Sequence, residues 1–271
     1  MSPLASRILF ALPLAALAIF AVVRGGWLMT GLGLVAGVIA MHEFCRMTRA
    51  QRPLAPAGFA GVVAVILVIH AGGLVWSIAA LGGTLLVAFW LSAIAEVRQT
   101  AIVQIAVTLF GVVWIGYGIG FLIAIRDIDQ PSPWSTWLLL AVLLGVWASD
   151  IFAYLGGRLF GRRKLARVIS PNKTVEGLVI GLVLGTAVGF VALYDQPASD
   201  PISPAGAAMI AFAVAVMAPI GDLFESYLKR DAGIKDTGRL LGGHGGVLDR
   251  IDALLFAGTA AYFVALALGR T

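Results

Sequence analysis

The sequence predicts an all-α, polytopic integral membrane protein with about nine transmembrane helices and a cytoplasmic N-terminus. Three observations carry this expectation. The 271 residues are 60% hydrophobic and 12% charged, with a mean hydropathy of +0.98, whereas a soluble domain carries about 25% charged residues. Apolar runs long enough to span a bilayer fall near 8–23, 26–41, 57–73, 76–95, 101–125, 134–154, 175–194, 205–225 and 252–268. With nine spans and the N-terminus inside, all but Arg24, Arg126 and Arg270 of the nineteen basic residues lie on the cytoplasmic side, as the positive-inside rule requires.

That orientation also accounts for the net charge of +5, which in a soluble chain would point to nucleic acid. The run after Arg7 reads as a short first span rather than a signal peptide, because no convincing cleavage site follows it and another apolar run begins almost at once. The lone Cys45 rules out an intramolecular disulfide framework and a Cys-rich zinc site, and reads as a small buried hydrophobe.

Residues 1–125 are expected to form an N-terminal bundle of five spans. Gly31, Gly33 and Gly37, then Gly111, Gly116, Gly118 and Gly120, are spaced to let helices approach closely. Glu43 and Glu96 sit at cytoplasmic helix ends near Arg46 and Arg98, where ion pairing or solvation is the plain reading. His42 and His70 lack a clustered ligand set and read as packing residues. The connections 127–137 and 195–204 are rich in turn residues and acidic, and carry no Lys or Arg. They read as outer loops, with Trp134 and Trp137 as interfacial anchors.

Residues 126–271 are expected to form a C-terminal catalytic region with two cytoplasmic loops. Asp150 lies inside an apolar segment, where an unpaired carboxylate is costly. Downstream, Ser170 followed by Pro171 fits an N-cap and first-turn proline. A helix starting there would present its positive end, with Lys173 and Thr174, to an anion. Arg162, Arg163 and Lys164 just before it read as topogenic charge facing anionic headgroups.

The strongest signal is Ser226 to Asp252, which concentrates ionisable side chains and glycines in a chain that is otherwise nearly hydrocarbon. Just upstream, Asp222, Glu225 or Ser226, and Lys229 recur at helical spacing and so share one face. An Asp222 ion pair closing the helix is the plain alternative to a metal role there. The glycines around His244, Gly245 and Gly246 among them, leave the backbone free to form a nest of N–H groups for phosphate oxygens. Asp249 and Asp252 could share a face at the start of the last helix, and two helix ends would bring Asp222 and Asp249 within reach of one divalent metal. No zinc spacing and no P-loop of the GxxxxGK[ST] form is present. Together these residues point to polyanion binding with a divalent cation.

Taken in order, Ser226, Lys229, Arg230, Lys235, Asp236, Gly238, His244, Gly245, Gly246, Asp249, Arg250 and Asp252 resemble the signature of the phosphatidate cytidylyltransferase (CDP-diacylglycerol synthase) family. Gly242-Gly243 stands where family members commonly have Pro-Gly. A second block, Ser170 to Gly177, is similar to the family's SPKKTxEG, with Asn172 in place of a Lys. The segment containing Asp150 and Tyr154 is similar as well.

The resemblance implies that CTP and phosphatidic acid give CDP-diacylglycerol and pyrophosphate with Mg2+. It implies Asp222 and Asp249 on the metal, and Lys173, Lys229, Arg230 and Lys235 on phosphates. Asp236, Arg250 and Asp252 would orient those groups, and His244 would position a phosphate or metal-bound water. Asp150, Ser170, Thr174, Ser226, Gly245 and Gly246 would line the substrate. The family is associated with homodimers, and a bacterial inner membrane is expected because the chain carries no targeting extension. A CTP-dependent lipid kinase, a transporter and a lipid-sensing binding protein are the other readings.

Overall fold

The computed structural model describes residues 3–94, 101–128, 133–194, 202–238 and 245–270, with side chains from residue 12 onward. Among these residues nine apolar helices follow one another: α1 (Pro3–Arg24), α2 (Gly26–Met47), α3 (Ala55–Gly72), α4 (Leu74–Ile94), α5 (Ala101–Asp127), α6 (Pro133–Phe160), α7 (Val175–Tyr194), α8 (Pro204–Asp231) and α9 (Leu248–Ala267). Eight are long and apolar enough to cross a membrane, and α1 adds the shorter apolar stretch Leu12–Arg24. The expected all-α polytopic architecture is thus present. Val75, Trp76, Ile78, Leu86, Phe89 and Trp90 on α4 all point outward. In water such a face would cost about 25 cal/mol per Å2, and hydrocarbon removes that cost.

The helices form two compact units, one of Met1–Ile123 with Asp236–Arg250 and one of Ala124–Lys235 with Ile251–Thr271. In the first unit the core centres on Met41, Phe44, Val62, Val65, Ile66 and Ile115. Small residues set the helix spacing there. A methyl group on Gly37 would stand 2.9 Å from the Val62 side chain, and one on Gly111 2.6 Å from Phe44. Gly31, in contrast, faces open space and plays no such part. His42 stacks on Phe59 with ring centres 6.5 Å apart, and His70 meets Trp27 edge-on at 4.6 Å. Helix α5 is interrupted by a π-helical turn at Val112–Tyr117.

In the second unit, Gly177, Gly181, Gly185 and Gly189 line one face of α7 at every fourth residue. A methyl on Gly181 would lie 2.6 Å from the carbonyl oxygen of Ser149 on α6, and one on Gly185 2.9 Å from the Ser149 side chain. Backbone-to-backbone approach of this kind is the small-residue packing of membrane helices.

Three local expectations are corrected in this unit. Ser170 does not cap a helix, because Ser170–Thr174 is the second strand (β2) of an antiparallel hairpin with Lys164–Ala166 (β1). Helix α7 starts at Val175, and Thr174 is the residue that caps it, its hydroxyl accepting from the Gly177 N–H at 3.1 Å. Thr174 combines a strand's β-branched shape with a cap's oxygen, so the chain stays extended until the last residue able to satisfy the helix's free N–H groups. Pro133–Trp137, expected in an outer loop, is the first turn of α6, as a proline at a helix start allows. Trp134 is 2% exposed, with the Arg270 guanidinium 5.1 Å from its ring centre, and is therefore not an interfacial anchor. Glu96, Arg98, Arg239, Gly242, Gly243 and His244 lie outside the described residues, as do 195–201 of the second outer loop.

Two outcomes test this packing. Gly181→Val should lower thermal stability in detergent by about 1–3 kcal/mol, the usual cost of overpacking, while Gly82→Ala, which meets nothing within 4 Å, should leave it unchanged or slightly raised. Thr174→Val should cost about 1 kcal/mol through the lost cap, and Thr174→Ser should retain most of it, as read by the same unfolding curves.

Candidate functional site

The polar residues of the first unit gather around the start of α9. Glu43, near the C-terminal end of α2, is 3% exposed. Its Oε1 accepts from the Val247 N–H at 3.0 Å and its Oε2 from the Leu248 N–H at 2.8 Å. A helix start leaves such N–H groups without partners inside the helix and carries partial positive charge. The buried carboxylate therefore meets donors that have no other intrahelical use. Ion pairing with Arg46 or plain solvation, expected for Glu43 from local sequence, is replaced by contacts about two hundred residues away.

Asp249 organises the same loop from within. Its Oδ2 accepts from the Gly246 N–H at 2.7 Å, the Thr237 N–H at 3.0 Å and the Thr237 hydroxyl at 2.9 Å. The Thr237 hydroxyl also lies 3.2 Å from Glu43 Oε2, and its single proton serves one carboxylate at a time. Gly245 and Gly246 are both required by this arrangement. Gly245 has φ +80, where a side chain is strained and a methyl would also crowd Asp249. Gly246 lies so close to Glu43 that any side chain would collide with the carboxylate. The expected open nest is thus partly filled: the described N–H groups of Gly246, Val247 and Leu248 already donate to the protein's own carboxylates. Asp236 and Arg250 are exposed beside them.

In the second unit, two segments far apart in sequence meet. Lys173 on β2 forms an ion pair with Asp222 on α8, Nζ to Oδ2 at 2.5 Å, with the two side chains 27% and 31% exposed. Ser226 donates to Asp222 Oδ1 at 3.3 Å, and Lys229 to Glu225 Oε2 at 2.7 Å. Asp222, Ser226, Glu225 and Lys229 accordingly share a helix side, as their spacing predicted. Glu225 is fully buried, and Asp252 lies within electrostatic reach of both Glu225 and Asp222. Gly221 makes this possible, because a methyl there would lie 2.7 Å from the Asp252 carbonyl oxygen.

The hairpin is anchored by two further contacts. Glu176 accepts from the N–H groups of Arg162 at 2.9 Å and Arg163 at 3.1 Å. Arg230 donates through Nε to the Ile169 carbonyl at 3.2 Å and through Nη1 to the Ile234 carbonyl at 3.3 Å. Arg230 therefore ties the turn of the hairpin to the end of α8. Asp150 and Lys235 are exposed, and Ser170 is half-buried on β2. Lys173 stands on a strand, so its charge is delivered by β2 rather than by a helix start.

Among the described residues no three His, Cys, Asp or Glu side chains gather as a closed metal site. An open one is compatible with the second unit. Mg2+ takes one or two carboxylates and completes its shell with phosphates and water, and Asp222 is a part-exposed carboxylate whose charge partner is Lys173. Local sequence gives Glu43 a nearby ion pair in place of these contacts and places Glu176 only within the Ser170 to Gly177 block, while Thr237 carries no signal beyond a hydroxyl near a glycine run.

A sequence model of the Cytidylyltransferase family matches residues 5–268. The phosphatidate cytidylyltransferase of a Synechocystis species is 31% identical over 284 residues, covering 95% of this chain and 94% of the relative. That of Bacillus subtilis is 39% identical over 152 residues, 56% of this chain and 55% of the relative. That of Helicobacter pylori is 46% identical over 121 residues, 44% and 42%. The match thus spans about half of the last two relatives and nearly all of the first. The family model and the Synechocystis relative, each spanning nearly the whole chain, mean that the chain belongs to the cytidylyltransferase family.

Proposed function

We propose that the protein is a phosphatidate cytidylyltransferase, transferring the cytidylyl group of CTP to phosphatidic acid. The observation that carries this reading is the Lys173 to Asp222 pair, which joins the Ser170 to Gly177 block to the helix that leads into the Ser226 to Asp252 segment. Both segments carry cationic side chains suited to phosphate, and relatives 31% and 39% identical are named phosphatidate cytidylyltransferase.

The chemistry suits the residues. The phosphate monoester of the lipid has its second pKa near about 6 and is largely dianionic at neutral pH, so its oxygen can attack without a strong base. That oxygen bonds to the α phosphorus of CTP while the bond from α phosphorus to the β-bridging oxygen breaks, and pyrophosphate leaves with the electron pair. The obstacle is repulsion between two polyanions. Lys173, Lys229, Arg230 and Lys235 are proposed to offset it by facing phosphate oxygens. Asp236, Arg250 and Asp252 are proposed to orient those groups, and His244 to position a phosphate or water.

Asp222 is proposed to hold magnesium, with Asp249 as a second carboxylate, and the metal when bound would neutralise phosphate charge. Asp150, Ser170, Thr174, Ser226, Gly245 and Gly246 are proposed to line the substrates. The reading extends to a cell inner membrane with the active site facing the cytoplasm, and to a homodimer.

The test uses CTP labelled at either the α or the γ phosphorus, with phosphatidic acid or diacylglycerol and with or without Mg2+, followed by lipid extraction. Label from the α position should enter the lipid only with phosphatidic acid and Mg2+, with pyrophosphate released. Lipid label from the γ position would instead identify a lipid kinase. Asp222→Asn and Asp249→Asn should each lose more than the roughly 10–100-fold typical of outer-shell partners, and near-normal turnover by either removes that residue from the metal site.

A further inference from the structure

We infer that Glu43 is a positioning residue for the glycine-rich loop. It is a buried carboxylate, supplied by the N-terminal bundle, that fixes both described flanks of that loop in register with Asp249. Its kinetic consequence rests on the cytidylyl-transfer reading, whereas its structural consequence does not.

The geometry is specific. One oxygen of Glu43 holds Val247 and the other holds Leu248, while Thr237 on the opposite flank sits within hydrogen-bonding distance of Glu43 and Asp249 alike. Gly238 and Gly246, one on each flank, both leave out a side chain that would strike this carboxylate. A surface ion pair would impose none of these conditions. A buried carboxylate lacking donors is unfavourable, so Glu43 and the loop constrain each other. Neither flank can shift without stranding the charge. Asp249, whose Oδ2 accepts from the same Thr237 and from Gly246, is held through them. The N-terminal half, which carries none of the signature residues, thereby acts on the signature loop.

Glu43→Gln preserves shape but puts an amide NH2 where one backbone N–H now donates, so one of the two contacts must break. Hydrogen–deuterium exchange of the variant, without nucleotide or metal, should be at least about tenfold faster at one of Val247 and Leu248 and unchanged in α3, since loss of one such bond is worth about a factor of ten. In the transfer assay kcat should fall about tenfold or more, at a melting temperature close to that of the unaltered protein. Glu43→Asp, which keeps the charge, should recover part of the rate that Glu43→Gln loses. Thr237→Val serves as the second variant if Glu43→Gln does not fold, and should quicken exchange at Gly246 and lower kcat. Unchanged exchange at Val247 and Leu248 overturns the inference. So does a rate loss that only follows the folded fraction, or no gain from Glu43→Asp over Glu43→Gln. If the unaltered protein transfers no cytidylyl group, the proposed function fails while the exchange measurement still decides the part played by Glu43.

Discussion

Ionised groups set against hydrocarbon must be neutralised within the protein, and this constraint governs how the polar part of the molecule is arranged. Charge far from water is costly, whereas charge met by hydrogen-bond donors or an opposite charge is tolerated. Glu43 meets backbone N–H groups, Asp249 meets a threonine and a glycine, Asp222 meets Lys173, and Glu225 meets Lys229. Each pairing fixes a backbone segment as well as a charge. The polar loops therefore owe their shape to side chains on the helices as much as to their own turn residues.

The glycines divide into two kinds of work. On α7 they let two helices touch backbone to backbone, so the hairpin between α6 and α7 starts and ends on closely packed supports. Near α9, Gly245 supplies a left-handed turn and Gly246 supplies room for a carboxylate. Substituting alanine would be conservative in size at either place. The consequence differs: helix separation in one case, loop register in the other.

How much of this could be read from sequence depends on the range of the interactions. The spans were legible because hydropathy over about twenty residues is a local sum, and the Asp222, Ser226, Glu225 and Lys229 face was legible because helical spacing is local too. The hairpin was not, since Ser170-Pro171 carries a genuine helix-start signal and the strand pairing depends on Lys164 and Ala166 opposite. Trp134 resembled an interfacial anchor until Arg270, at the far end of the chain, was seen against it. Glu43 differs most from its local reading as an ion pair with Arg46 or a solvated group. Its nearest cation in sequence offered an adequate local partner, and nothing local indicates a donor 204 residues away. The four-residue glycine repeat of α7, Gly177 to Gly189, is likewise a local pattern.

That separation has a consequence for biogenesis. A ribosome adding about 5–20 residues per second releases Val247 and Leu248 on the order of 10–40 seconds after Glu43. Throughout that interval α2 carries a carboxylate whose final partners do not yet exist. Water or headgroups must hold it at the membrane surface, and its burial becomes a late step, completed only when the last helix arrives. A nascent chain halted before residue 236 thus holds every span of the N-terminal bundle and still lacks the final partners of one carboxylate.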